Sequence, residues 1–216
     1  AFSRLHAARA EALGVGPVTL LDGQYDGPVR APASPAEPPF ILYAGRMIPE
    51  KRVLLLVEAL GLLMAENADV RAVLLGRGPD LDAVRARIAA LGLAERIVLP
   101  GFVSNEALEV FQAEAAVMVQ PSEREGYGMV VVEASARGVP VVLVPGADNA
   151  AVELVDEGQN GFVAPTADAA ALAEAIRRAV EGGEALRGRV REWYAANARR
   201  LSFAQSYERI SERLRG

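Results

Sequence analysis

From Phe40 onward the chain alternates between two hydrophobic patterns. Short runs that are apolar throughout, "FILYAG", "VRAVLLG", "RIVLPG", "AVMVQPS", "VPVVLVP" and "GFVAP", each end at Gly, Pro or Ser. Between them, apolar positions recur at helical spacing over residues 51–66, 80–91, 106–114, 128–137 and 150–156. Strands with no polar face that alternate with amphipathic helices predict a parallel sheet covered on both sides, an α/β, Rossmann-like layer. The stretch "GMVVVEASARG" is ambiguous by composition, because its three valines suit a strand and its small residues suit a helix. Its place between two strand-like runs assigns it as a crossover helix, with tertiary packing overriding propensity. After Thr166 helical patterns continue almost to the end, with breaks at "EGGE" and at Ser202.

The segment before Phe40 reads differently. "AFSRLHAARAEALGVG" predicts a short helix that stops at a glycine, and "PVTLLDG" predicts a strand. "GPVRAPASPAEPP" then places prolines at 28, 32, 35, 38 and 39. Proline lacks an amide donor and restricts its predecessor, so this stretch is a linker. The roughly thirty residues before it are too few to fold alone, and the chain begins like the tail of something larger.

Composition narrows the chemistry. With 216 residues the chain can bury a full core, and its net charge of -5 argues against general affinity for nucleic acid or anionic membranes. Any anionic ligand must be held by local cations. Cysteine is absent, which removes disulfides, thiolate nucleophiles and cysteine metal sites and fits a reducing, cytoplasmic compartment. The apolar stretches are too short to span a membrane and no signal peptide opens the chain.

Ligands of open parallel sheets bind outside the carboxyl ends of the strands, so each strand-to-helix junction carries weight. The first, "GRMIPEKR", sets Gly45, Arg46 and Lys51 beside a helix start, as a diphosphate requires; solvated surface cations are the plain alternative. The second, "GRGPDLD", has Gly76 and Gly78 spaced for close backbone approach to a ligand or simply for a turn. Its Asp80 and Asp82 imitate a metal motif, but acidic residues are common in a helix's first turn. The third, "PGFVSNEAL", offers Phe102 and Val103 at the mouth and Ser104 as helix cap; the aromatic ring either stacks on a base or covers core. The fourth, "QPSEREGYGMVVVEAS", places Glu125 among glycines 126 and 128, and Glu133 two helical turns deeper in an apolar run. A carboxylate is rarely buried without a partner. Glu133 therefore needs either an arginine, such as Arg137 or Arg46, or the hydroxyls of a ligand.

Taken in order, "YAGRMIPEKR", "LLGRGPD", "IVLPGFVSNEAL", "QPSEREGYGMVVVEASARGVPVV" and "ELVDEGQNGFVAP" resemble the C-terminal domain of family 4 (group 1) retaining glycosyltransferases of the GT-B fold. The resemblance covers residues 40–165 and centres on an E-x7-E pair, Glu125 and Glu133. It implies that Arg46, Lys51 and Glu125 form the catalytic set: the cations neutralise the diphosphate of a nucleotide-sugar donor and Glu125 binds a hydroxyl of the transferred hexose. Glu133 would accept hydrogen bonds from the ribose hydroxyls. The backbone around Gly126, Tyr127, Gly128, Met129 and Val130 would hold sugar and phosphate. Val103, through its backbone, and the "GRGP" loop with Gly76 and Gly78 would contact the base, which is uracil, guanine or adenine; Gly45 and Phe102 complete the donor-binding set. Glu153 occupies the place of a recurrent family glutamate.

The family pattern also has departures. The usual Lys-Gly is Lys51-Arg52, and the usual Phe of E-G-F-G is Tyr127. The family's N-terminal domain, which binds the acceptor and supplies a histidine, has no counterpart, and His6 matches none of its motifs. The implied organisation is a remnant and hinge at 1–39, the donor-binding domain at 40–183, and C-terminal helices at 184–216 that pack toward the missing domain. No metal or other cofactor is expected; the partners are the sugar nucleotide and the N-terminal acceptor domain, with peripheral membrane association through that domain and no nucleic acid. The chain alone would be inactive, being half of a hexosyltransferase. Two competing readings are a stand-alone sugar-nucleotide-binding module and a GT-B-fold sugar-nucleotide epimerase.

Overall fold

The computed structural model describes residues 1–27, 34–66 and 69–215. The first part of the proline-rich linker, 28–33, lies outside them; residues 34–39 form no helix or strand. All six apolar runs are strands: β1 (Phe40–Ala44), β2 (Arg71–Leu75), β3 (Ile97–Gly101), β4 (Val117–Gln120), and the later Val141–Leu143 and Gly161–Val163. A two-residue strand, β5 (Arg124–Glu125), precedes Val141–Leu143, which is therefore β6; β7 (Asp148–Asn149) follows it, and Gly161–Val163 is β8. The main sheet is parallel throughout, in the order β3-β2-β1-β4-β6-β8, and β5 pairs with β7 in a separate small ladder.

Side chains of β1 alternate between two cores, as the period of a strand requires. Ile41 and Tyr43 face a core built with α2 (Val53–Ala65), α3 (Leu81–Ala90) and the first half of α6 (Ala169–Leu201). Phe40 and Leu42 face the opposite core, shared with α4 (Asn105–Glu114) and α5 (Met129–Ala136). α1 is the predicted N-terminal helix (Arg4–Ala12), and α7 (Phe203–Arg215) ends the chain. The predicted breaks both occur. Gly183 has non-helical angles (φ 46, ψ -140) inside α6, and Ser202 is extended between α6 and α7.

Two predicted elements differ. "PVTLLDG" is not a strand, because its backbone bonds run to the chain start and to α7 rather than to a sheet edge: Leu21 N–H donates to the Ala1 carbonyl at 2.8 Å and Gly23 N–H to Ser206 Oγ at 3.2 Å. The amides of Gln24 and Tyr25 both donate to the Leu201 carbonyl at 3.0 Å, and Tyr25 makes a single bridge to Ser202. The helix expected at 150–156 is a short 3-10 turn, Ala150–Leu154. Asn149 fixes its start through bonds to the Ser122 and Val144 carbonyls, both 3.0 Å, and Asn160 Nδ2 closes its end on the Leu154 carbonyl at 2.9 Å. Too few residues separate these anchors for α-helical turns.

Residues 1–27 lie against this body rather than apart from it. Glu153 accepts the amides of Arg4 and Leu5 at 2.8 and 2.7 Å, placing a carboxylate at the positive end of α1. Tyr25 packs edge-on against Tyr194 of α6, with ring centroids 6.3 Å apart. Residues 184–201 also pack on this domain, burying Leu186, Val190 and Tyr194. Among the described residues α7 presents an exposed apolar row: Phe203, Tyr207, Ile210 and Leu214.

The loops after β1 and β2 are stitched to each other. Met47 N–H donates to the Arg77 carbonyl at 2.9 Å and Asp80 N–H to the Met47 carbonyl at 3.0 Å. Gly76 makes this possible: its φ is 128°, and an added Cβ would lie 1.8 Å from the Gly45 carbonyl oxygen. Gly76→Ala is expected to cost about 2–3 kcal/mol of stability through overlap and backbone strain, measured by urea unfolding. An unchanged midpoint would refute this account of the loop pair.

Candidate active site

The strand order reverses between β1 and β4, and a cleft of about 530 Å³ opens at the carboxyl ends of the strands there. That is the switch point at which doubly wound sheets bind ligands, and the volume suits a small organic molecule. The four junctions singled out in the sequence all reach it. From the first come Gly45, Arg46 and Lys51; from the second, Gly76; from the third, Phe102 and Val103; from the fourth, Glu125, Gly128, Met129, Val130 and Glu133.

The charged groups are arranged unequally. Lys51 Nζ pairs with Glu125 Oε1, both side chains being mostly buried, and Ser122 Oγ donates to the same oxygen at 2.8 Å. Arg46 is exposed, and among the described residues its guanidinium meets no carboxylate or carbonyl. Its backbone carbonyl accepts from Tyr43 Oη at 2.7 Å, which fixes the turn. Burial, followed by the Glu125 charge, pushes the Tyr43 phenol far above its usual range, so this donor stays protonated.

Glu133 is half-buried rather than fully buried, because its carboxylate opens onto the cleft. Neither arginine considered as a partner pairs with it. Arg137 Nη1 donates instead to the Glu133 backbone carbonyl at 2.9 Å, and Nη2 lies 4.0 Å from Glu109. The carboxylate accepts only a long bond, 3.3 Å, from Gln112 Nε2 among the described residues. Its remaining acceptor positions face the cavity.

Three predicted residues stand apart from the cleft lining. Gly78 lies under the first loop, where an added Cβ would be 2.1 Å from the Met47 carbonyl oxygen, so its role is loop packing. Gly126 is exposed beside the mouth. Tyr127 turns its ring to the other side of the loop, where its hydroxyl donates to the Asp22 carbonyl. Glu125 and Tyr127 would share a face if the strand continued, but β5 ends at Glu125 and the two side chains leave the loop on opposite sides. Gly128 then opens α5. Its φ is 101°, and its Cα lies so close to Ala151 that an added Cβ would be 2.5 Å from the Ala151 Cβ. The β5–β7 ladder holds the same loop from below, Glu125 opposite Asn149.

Asp80 and Asp82 serve the start of α3; Asp82 pairs with Arg85 at 3.2 Å. Ser104 caps α4, accepting the Ala107 amide at 3.3 Å. His6 bonds Ser3 at the start of α1, away from the cleft.

Sequence reasoning passed over Gln112 and Gln120 and took in Arg77 only as part of the "GRGP" loop; all three line the cleft. Gln120 is the most informative. It is 4% exposed, its Nε2 donates to the Ala44 carbonyl at 2.9 Å, and its Oε1 is buried with no partner among the described residues. An unmade hydrogen bond of that kind calls for a donor from elsewhere. The signal was available: Gln120 is a polar residue at the carboxyl end of an otherwise apolar strand.

A parallel α/β domain with cations, carboxylates and an orphan acceptor converging at its switch point is of the doubly wound class that binds ligands at that point. The match to the family described as Glycosyl transferases group 1 covers residues 29–200, and the chain belongs to that family. It is 31% identical over 167 residues to alpha-D-kanosaminyltransferase of Streptomyces kanamyceticus, covering 77% of this chain and 42% of that one. It is 32% identical over 145 residues to the GDP-mannose-dependent alpha-(1-6)-phosphatidylinositol monomannoside mannosyltransferase of Mycolicibacterium smegmatis, covering 64% and 37%. Among solved structures, Anabaena HepE in complex with UDP and glucose superposes with a TM-score of 0.70 at 26% identity, covering 82% of this chain and 48% of that one. The chain thus spans less than half the length of these relatives, and it has the architecture of one half of a GT-B fold. Among the described residues no helix is long and apolar enough to cross a membrane.

Tyr127 generates a test of how the loop is held. Burial, then the Asp22 charge, pushes its phenol up to about 12 from an ordinary value of 10.0. Since the fold holds the proton more tightly than the unfolded chain, the stabilisation is full below the unfolded value and is lost as pH rises through the folded one. Tyr127→Phe should lower unfolding stability by about 1 kcal/mol at neutral pH. It should also make the decline between pH 10 and 12 shallower, because one raised phenol is gone. Denaturant melts at several pH values check both; parallel curves would show that the phenol is not held this way.

Proposed function

We propose that this chain is the donor-binding half of a retaining glycosyltransferase that moves a hexosyl group from a nucleoside-diphosphate sugar to an acceptor. The observation that carries the reading is the convergence of Arg46, Lys51, Glu125 and Glu133 on one cleft. Had the two cations and the two carboxylates faced different surfaces, no single ligand would have needed both.

In this reading the diphosphate lies at the mouth of β1 and β4. Arg46, whose guanidinium has no partner among the described residues, makes charge-assisted hydrogen bonds to it. Lys51 has three donors and spends one on Glu125, so it holds both the carboxylate and the phosphate. As the anomeric C–O bond breaks, negative charge moves onto the leaving diphosphate, and these cations stabilise it at the moment it forms. Glu125 is kept in place by Lys51 and Ser122 and accepts a hydroxyl of the hexose. Glu133 accepts the ribose diol, and ligand hydroxyls satisfy Gln120 Oε1. The amides around residues 128–130 hold sugar and phosphate, and the Val103 backbone meets the base. No metal or other cofactor is assigned to this step.

The acceptor is bound by a preceding domain of the same polypeptide. The exposed row on α7 belongs to the surface facing that domain, so residues 184–201 are part of the donor domain and 203–215 reach beyond it. The hexosyl and retaining character follow from the family resemblance, as do membrane association through the preceding domain and the inactivity of this chain alone. A cytoplasmic location fits the absence of cysteine.

Calorimetric titration with UDP and GDP tests the reading. At least one should bind and raise the melting temperature with occupancy. Losing a charge-assisted hydrogen bond costs about 1.5–3 kcal/mol, so Arg46→Ala and Glu133→Ala should each weaken binding roughly ten-fold or more. The two differ with a diphosphate-free probe: uridine or guanosine binding should fall with Glu133→Ala and be insensitive to Arg46→Ala. Full nucleotide affinity in Glu133→Ala would remove the ribose assignment.

A further inference from the structure

The ligand geometry proposed above has a direction, and the inference here rests on that reading. The phosphates occupy the ends of β1 and β4, and the ribose reaches Glu133, so the base extends over the remaining strand ends. The strand order β3-β2-β1-β4 leaves only β2 and β3 on that side of the cleft. Two side chains stand at their ends. Phe102, after β3, is 78% exposed, and Arg77, after β2, is also exposed.

Arg77 is positioned rather than merely solvated. Its carbonyl is bonded to the Met47 amide at 2.9 Å, so its backbone is fixed by the loop pair. Its guanidinium crosses the open face of Gly101: an added Cβ there would lie 3.5 Å from Nε and 3.7 Å from Nη2. The next residue is Phe102. Among the described residues the guanidinium meets no carboxylate and no carbonyl, although the chain is acidic overall and most of its arginines are paired. An unpaired planar cation beside an exposed ring at the base end of a cleft has a definite chemical preference.

We infer that Arg77 is a specificity-determining residue that selects a nucleobase with a keto oxygen on its edge, guanine or uracil, over adenine. The guanidinium donates hydrogen bonds and accepts none. Guanine presents O6 and N7 as adjacent acceptors, which match the fork of an arginine, and uracil presents O4. Adenine presents the N6 amino donor where the keto oxygen would be, leaving two donors opposed. Phe102 adds a stacking face that every base can use, so it contributes affinity without choice.

The test is titration of GDP, UDP and ADP into this chain and into its Arg77→Met variant. Met keeps an unbranched apolar stem without the donors. Both proteins are first checked for equal melting temperature; the side chain is exposed, so the fold is expected to tolerate the change. The wild type should bind the better of GDP and UDP roughly five-fold or more tighter than ADP, as loss of an arginine–base pair predicts. In Arg77→Met the ratio should fall to about one, through lost affinity for the keto nucleotides and unchanged affinity for ADP. Equal or tighter ADP binding by the wild type overturns the inference, as does a keto preference that survives in the variant. Equal weakening of all three nucleotides assigns Arg77 to the phosphates and overturns it too. If none of the three binds, the donor-site reading itself fails, a result distinct from binding without discrimination.

Discussion

Every strand of the main sheet runs in one direction, and most of what this chain offers chemically follows from that constraint. Parallel strands deliver all their exits to the same edge, so four loops that are far apart in sequence open onto one cleft. The reversal of strand order between β1 and β4 then parts two of those loops, leaving a gap at the centre of the edge rather than at its rim. Arg46 and Glu125 stand on opposite sides of that gap because one follows β1 and the other follows β4. Packing holds the loops themselves: Gly76 against Gly45 on one side, and the β5–β7 ladder under Glu125 on the other.

Much of this was legible in the residues alone. Six apolar runs gave six strands, since a strand buried on both faces has no other pattern, and the E-x7-E spacing marked the two carboxylates that share the cleft. What was not legible depended on contacts distant in sequence. "PVTLLDG" has the composition of a strand, but its amides bond the Ala1 carbonyl and Ser206 Oγ, partners that no local pattern announces. The strands β5 and β7 are two residues each, too short for periodicity to register. Tyr127 was read as facing the donor because it sits in the glutamate–glycine run, yet β5 ends at Glu125 and the Tyr127 ring turns to Asp22. Gln120 was overlooked for a different reason: a single polar residue at a strand end is a weak signal until its oxygen is seen to have no partner.

The charge balance of the cleft opposes that of the chain. Net charge is -5 overall, while the lining carries three cations, Arg46, Lys51 and Arg77, against two carboxylates, Glu125 and Glu133. Within the cleft the pairing is selective. Lys51 and Glu125 neutralise each other, so the local excess resides on the two arginines, one on each side of the lysine in the chain. A diphosphate entering such a site does not have to displace an ion pair to find a cation. Pre-pairing also keeps Glu125, which would otherwise repel the incoming anion, electrically quiet at a short distance.

Tyr127 connects this local order to the rest of the molecule. The loop that carries Glu125 inward carries Tyr127 outward, onto the carbonyl of Asp22, and the Asp22 carboxylate is itself held by Arg200 and Arg209 at 2.8 and 3.2 Å. The loop that carries Glu125, the segment that leads to the linker and the junction of α6 with α7 are therefore tied through one phenol and one aspartate. A phenylalanine at residue 127 would pack similarly but would leave the Asp22 carbonyl without this donor. The tie runs between the cleft and the two chain segments nearest the linker and the C-terminus, so the position of the Glu125 loop is fixed by contacts distant in sequence as well as by its own ladder with β7.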